Sequence, residues 1–174
     1  MPTPDRTSLI EIVEAGRDLI ESGGASRLTM QAVAERVGVR PPSLYKRVRD
    51  RDELLALVAQ ATVDDLGRRL AASDGSLAGL ARTYRSFARE RPEGFRLMFT
   101  VEGAAESLQQ VSEPVLLLGR EMAGEDVALE AARLIVAWAT GFIDMELAGS
   151  FRLGGDVDRA FEFGLERLDL ALRG

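Results

Sequence analysis

"LTMQAVAERVGVRPPSLYKRVRDRDELLALV" (residues 28–58) is built almost entirely of helix starts and stops. Thr29 can cap a short helix whose buried side is Val33, Ala34 and Val37. Gly38 follows at the place where a left-handed residue is wanted. Pro41 and Pro42 cannot continue a helix, but their fixed φ suits a first turn, so a new helix is expected over residues 41–48. Asp50 with Glu53 then opens the next. Small Ala34 lets the second element approach, and Val39, Leu44 and Val48 point back to the core. Arg40, Ser43, Lys46 and Arg47 are left on the other side. The pattern is helix, tight turn, helix with a polar, basic outer face, the form of a DNA-binding helix-turn-helix. An ordinary αα-corner shares the same local pattern.

Outward from this segment the chain keeps a helical period. Ser8 with Glu11 is a capping box for a first helix carrying Leu9, Ile12, Val13, Leu19 and Ile20, and "SGGAS" at 22–26 stops it. Downstream, a fourth helix runs from Asp50 to about Ala72 and a fifth starts at Ser76. A short apolar piece follows Pro92, and a seventh helix is expected over about 105–122 with Pro114 as a kink or break. The eighth and ninth span about 125–148 and 156–172. The spacing therefore predicts an all-α protein of about nine helices. Residues 1–50 are expected to form a helix-turn-helix domain and residues 51–174 a helical body, to which the family resemblance described below assigns ligand binding and dimerisation.

Charge is distributed unevenly over the 174 residues. The net is −6, yet residues 1–51 carry +2 and residues 52–174 carry −8. Between Arg36 and Arg51 stand six basic residues and one acid, Asp50. A basic stripe on an acidic body fits a polyanion-binding surface confined to one end, although a solvated charged loop has the same composition.

The absence of Cys and His removes thiolate nucleophiles, disulfides, Ser-His-Asp and Cys-His arrangements and the usual zinc, copper and haem ligands. No cofactor or metal is expected. Asp144 and Glu146 lie two apart, on different helix faces, and do not pair as acid and base. The longest uncharged apolar stretch, Leu134 to Ile143, is about half a bilayer span, and "MPTPDRTSL" lacks signal-peptide regions. A soluble cytoplasmic protein without membrane contact is expected.

With these residues placed, the sequence resembles the TetR family of bacterial transcriptional regulators. The likeness rests on Thr29, on Gly38-Val39 in the turn, on "SLYKRV" and on the capped fourth helix. The body resembles a subgroup with a Pro followed by an "LMF" segment, here Pro92, Phe95 and "RLMF", and a Trp-His-Gly signature followed by "ELAG". Thr140 stands here between Trp138 and Gly141 in place of that histidine.

The resemblance implies roles residue by residue. Thr29, Tyr45, Arg47 and Arg51 match positions that grip phosphates, and Gln31, Arg40, Pro42, Ser43 and Lys46 match positions near base edges. Side-chain chemistry agrees: Arg40 and Lys46 can reach guanine O6 and N7, and Pro42 offers only apolar contact. Tyr45 also reads as a half-buried packing residue. The resemblance further implies a repressor that binds a palindromic double-stranded operator as a homodimer through the last two helices. Phe87, Phe95, Met98, Phe99, Trp138, Phe142 and Met145 could line a pocket for a small apolar effector, or could simply fill the core. The alternative is a DNA-binding module whose body engages a protein partner instead of a small ligand.

Overall fold

A computed structural model describes residues 7–101 and 112–174, and among them all regular structure is helical: nine α-helices and two 3₁₀ turns. The chain divides into two compact units, Met1–Asp65 with Arg91–Leu108, and Leu66–Glu90 with Gln109–Gly174.

In the first unit, α1 (Leu9–Glu21) begins at the Ser8 capping box: the Glu11 N–H donates to Ser8 Oγ at 3.2 Å and the Ser8 N–H to Glu11 Oε2 at 2.7 Å. A 3₁₀ turn (Ala25–Arg27) leads to α2 (Met30–Val37), whose N-cap is Thr29 and whose end is Gly38, at φ 73°. That left-handed turn lets the Val39 N–H reach back to Ala34 O at 2.9 Å. Next come α3 (Pro41–Leu44) and the first part of α4 (Arg51–Ala71), with α6 (Pro92–Leu97) added from further along the chain. Ile12, Ile20, Leu28, Val33, Leu44 and Val48 anchor one core, to which α4 adds Leu54, Val58 and Ala59 and α6 adds Leu97. These last contributions carry the unit past residue 50, where the helix-turn-helix reading puts the division.

Two polar ties cross this core. Arg17, only 7% exposed, donates to Glu14 and to Asp65 Oδ2, each at 2.9 Å, joining α1 to α4. The Glu21 carboxylate accepts the Gly94 N–H at 2.7 Å and the Glu93 N–H at 3.3 Å, capping α6. A side chain at residue 94 would collide with that carboxylate, since a Cβ there would lie 2.8 Å from Glu21 Oε1.

The second unit contains α5 (Leu77–Glu90), α7 (Glu113–Ala123), α8 (Ala128–Leu147) and α9 (Val157–Arg173). Pro114 lies in the first turn of α7, where a missing N–H costs no intrahelical bond. The upstream part of the seventh helix expected from sequence lies outside the described residues. Gly119 brings α7 against α8 so closely that a Cβ would meet Ala128 O at 2.4 Å. Gly164 of α9 accepts the Trp138 indole in the same way, with Cζ2 at 2.2 Å from a notional Cβ.

An ionic node ties α5 to α8 and α9. Arg85, 8% exposed, grips Glu146 with two bonds of 2.8 and 2.6 Å and reaches Asp158 at 2.7 Å. Its guanidinium lies 4.5 Å from the Phe161 ring centre, and the hydrogen bonds to Glu146 hold its pKa above the ordinary arginine value. Removing one partner of a buried pair strands the other. Arg85→Leu is expected to cost about 3 kcal/mol in urea unfolding, and Arg85→Leu with Glu146→Leu to recover much of it. A double variant no more stable than the single one would show that the pair is not what the node contributes.

Candidate nucleic-acid interface

The recognition element is shorter than the spacing predicts. Helix α3 ends at Leu44 rather than at residue 48, and Tyr45–Arg47 form a turn in which the N–H groups of Arg47 and Val48 both bond Leu44 O, at 2.8 and 2.9 Å. Pro41 and Pro42 occupy its first turn, where they remove two N–H groups that would need partners and fix the backbone before any DNA arrives. Leu44 and Val48, 0% and 1% exposed, point inward and set the rotation of the element about its axis. Val39 packs beside them, partly buried.

That rotation turns the expected residues outward. Thr29, Gln31, Arg40, Pro42, Ser43, Tyr45, Lys46 and Arg47 are all exposed, Tyr45 at 54% rather than half-buried as packing alone would have it. Thr29 Oγ1 accepts the Ala32 N–H at 3.1 Å, so the cap uses the oxygen and leaves the hydroxyl hydrogen for a phosphate. Gln31 donates from Nε2 to Glu35 Oε1 at 3.0 Å. Because a carboxylate only accepts, this fixes which end of the amide faces Glu35.

The basic stripe sorts into two sets. Arg36 pairs with Asp18 at 2.7 Å and Arg49 with Asp50 at 2.7 Å, and the Arg49 guanidinium holds the Asp50 carboxyl below its ordinary range. Arg40 and Lys46, with Ser43, have no side-chain hydrogen bond or ion pair among the described residues. Within the stripe the two unpaired cations flank α3, Arg40 as its N-cap and Lys46 in the turn after it, where they are available to anions.

Arg51 has a task that its sequence position does not reveal. Its Nε donates to Leu28 O and its second terminal nitrogen to Ala25 O, both at 2.7 Å, which fastens the start of α4 to the 3₁₀ turn that precedes Thr29. The partners lie 26 and 23 residues upstream, beyond any local motif.

The seven apolar residues proposed as pocket lining fall in both units. Phe95, Met98 and Phe99 belong to the first, where Phe95 and Phe99 meet edge to face at 5.3 Å and Phe99 is 49% exposed. Phe87, Trp138, Phe142 and Met145 belong to the second. There Phe87 is fully buried, and Trp138 stacks on Phe161 at 5.2 Å with Phe142 against both. Met145 is 48% exposed. Tyr84, whose phenol burial pushes up to about 12, bonds the Thr140 hydroxyl at 3.1 Å. A cleft of about 490 Å³ in the second unit is lined by other residues, among them Leu77, Arg82, Leu165, Leu170 and Arg173.

Comparison with known proteins places both parts of the chain. The profile of the bacterial regulatory proteins, tetR family, matches residues 12–58, and that of the tetracyclin repressor-like C-terminal domain matches residues 77–168. An HTH-type transcriptional regulator of Bacillus subtilis, YobS, is 24% identical over 88% of this chain and 86% of its own length. The class A tetracycline repressor protein from transposon 1721 of Escherichia coli is 26% identical, over 86% of this chain and 73% of its own. A protein of unknown function from Rhodococcus sp. RHA1 shares the fold, with a TM-score of 0.83 at 20% identity, covering 99% of this chain and all of that one.

The Arg51 brace makes a distinct prediction. Arg51→Lys keeps the charge but cannot bridge both carbonyls, so it is expected to destabilise the first unit by about 1–2 kcal/mol, close to the loss in Arg51→Ala. Urea unfolding measures both, and full stability in the lysine variant would refute the brace.

Proposed function

The chain belongs to the TetR family of bacterial transcriptional regulators, and from that premise we propose that it is a repressor that binds a palindromic operator as a homodimer and is released by a small apolar effector. Membership makes the protein a DNA-binding regulator of transcription and not an enzyme, and the family implies dimer formation. The observation that carries the operator reading is the pair of unpaired cations, Arg40 and Lys46, held outward by a rigid turn whose other side is buried. No helix among the described residues is long and apolar enough to cross a membrane, which accords with a cytoplasmic site of action.

A four-residue recognition helix reads few base pairs, so two copies are needed, presented to successive major grooves about 34–36 Å apart. The last two helices offer the surface for pairing. On α8, Leu134 and Met145 are each 48% exposed, and Ala137, Gly141 and Ala148 share their side of the helix. On α9, Phe163 and Leu170 are each 61% exposed. A Cβ at Gly141 would meet only open space, so a partner helix can come close there. Apolar side chains lined up on two adjacent helices are costly to leave in water, which favours a second copy as their cover.

The effector reading rests on the aromatic side chains of the second unit and on the tetracycline repressor's name. Within that reading the effector favours a spacing of the two recognition elements that does not fit the grooves. By linkage, operator and effector then weaken each other equally.

Lys46→Ala is expected to lose about 1–3 kcal/mol at its cognate base pair and to relax preference at that position. Binding to a panel of single-base operator variants checks this, and a loss uniform over all sequences would rule out base reading by Lys46. Phe163→Glu is expected to shift the protein to monomer in sedimentation, to keep its helical circular dichroism and to lose operator binding at concentrations where the parent is saturated. A stable dimer in that variant would move the interface elsewhere.

A further inference from the structure

The cationic side chains of this protein are 21 arginines and one lysine, and the lysine is Lys46. It stands in the turn after α3, exposed, with no hydrogen-bond or ion-pair partner among the described residues. From this coincidence we propose that Lys46 is an acylation site whose modification switches operator binding off. The proposal rests on the reading of α3 and its turn as the DNA-contacting face.

The chemistry distinguishes the one side chain from the other 21. An arginine guanidinium stays protonated and is no nucleophile toward acyl groups, whereas a lysine amine, in its unprotonated fraction, is the usual target of acylation. The Nζ lone pair attacks the carbonyl carbon of an activated acyl group, either a thioester or an acyl phosphate. A C–N amide bond forms, and the C–S or C–O bond to the leaving group breaks. The thiolate or phosphate leaves with the bonding pair, and the amine proton goes to solvent. No electrons change hands. The product is neutral, so the side chain loses its charge and two of its three N–H donors.

Every arginine side chain is left untouched, including those of the Arg17–Asp65, Arg51 and Arg85 contacts that hold the fold. Acylation is therefore directed at the reading surface by composition. The amine is open in the free protein and would be covered in the complex, so DNA should protect it.

The test uses the full chain and a duplex that the untreated protein selects from a random-sequence pool. Protein is incubated with acetyl phosphate in one arm and with acetyl-CoA in the other, with and without the duplex, and intact mass and peptide mapping follow Lys46. Lys46→Arg, whose affinity before treatment serves as its own baseline, controls for acetylation at a chain-terminal amine. The expected result is modification of Lys46 by at least one donor, slowed by the duplex. Affinity for the selected duplex should fall about tenfold or more, with preference relaxed at the base pair that Lys46 reads. Lys46→Arg should keep its baseline through the same treatment, and the arm that reacts identifies the acyl source.

A Lys46 that neither donor modifies, or a modified protein that binds with unchanged affinity, would overturn the switch while leaving the operator reading intact. Failure of the untreated protein to select any duplex would overturn both.

Discussion

The recognition turn has too few residues to hold a shape by its own hydrogen bonds; isolated helices several times longer are marginal in water. Its conformation depends on burying Leu44 and Val48 in a core made by α1, α2 and the start of α4. Those two side chains fix the angle at which Arg40, Ser43 and Lys46 leave the surface. The prolines at its start act in the same sense, since a backbone already limited in φ has less freedom to lose on docking. The interface is thus a consequence of apolar packing, and its cations are passengers on it.

Arginine carries the polar architecture of the rest. Arg17 joins α1 to α4, Arg51 joins the start of α4 to the turn before α2, and Arg85 joins α5 to α8 and α9. Each uses a planar fork of donors to hold two acceptors at once, which an ammonium group cannot do with the same geometry. Such contacts contribute more to the choice of one arrangement than to raw stability, since each also desolvates a charge.

What could be read from sequence follows the distance over which each interaction acts. Ser8 with Glu11, Thr29 and Asp50 with Glu53 are caps between residues three apart, and each closes as its spacing predicts. Gly38 takes the left-handed turn for the reason that its position suggests. The length of α3 was not legible, because residues 45–47 have no strong stop signal and the turn is set by Val48 reaching the core. Nor were the long-range contacts of Arg17, Arg51 and Arg85, whose partners lie between 23 residues (Arg51 to Leu28) and 73 residues (Arg85 to Asp158) away. Periodicity places Trp138, Phe142 and Met145 on a helix, but the exposure of Met145 and the stacking of Trp138 on Phe161 depend on α9, whose angle no local pattern encodes.

The chain leaves the first compact unit after Asp65, re-enters it at Arg91 and leaves it again after Leu108. Within that return, Leu97 completes the apolar core and the Glu93 and Gly94 N–H groups satisfy the Glu21 carboxylate. The DNA-binding unit is therefore not a contiguous stretch that can be cut out or exchanged as a module. A fragment ending at residue 65 would open a groove beside α1 and leave a carboxylate without its donors. Heads grafted between relatives would need a seam that carries α6 along with α1–α4, so recombination in this architecture is constrained by a helix far from the first fifty residues in sequence but bonded to them at Glu21.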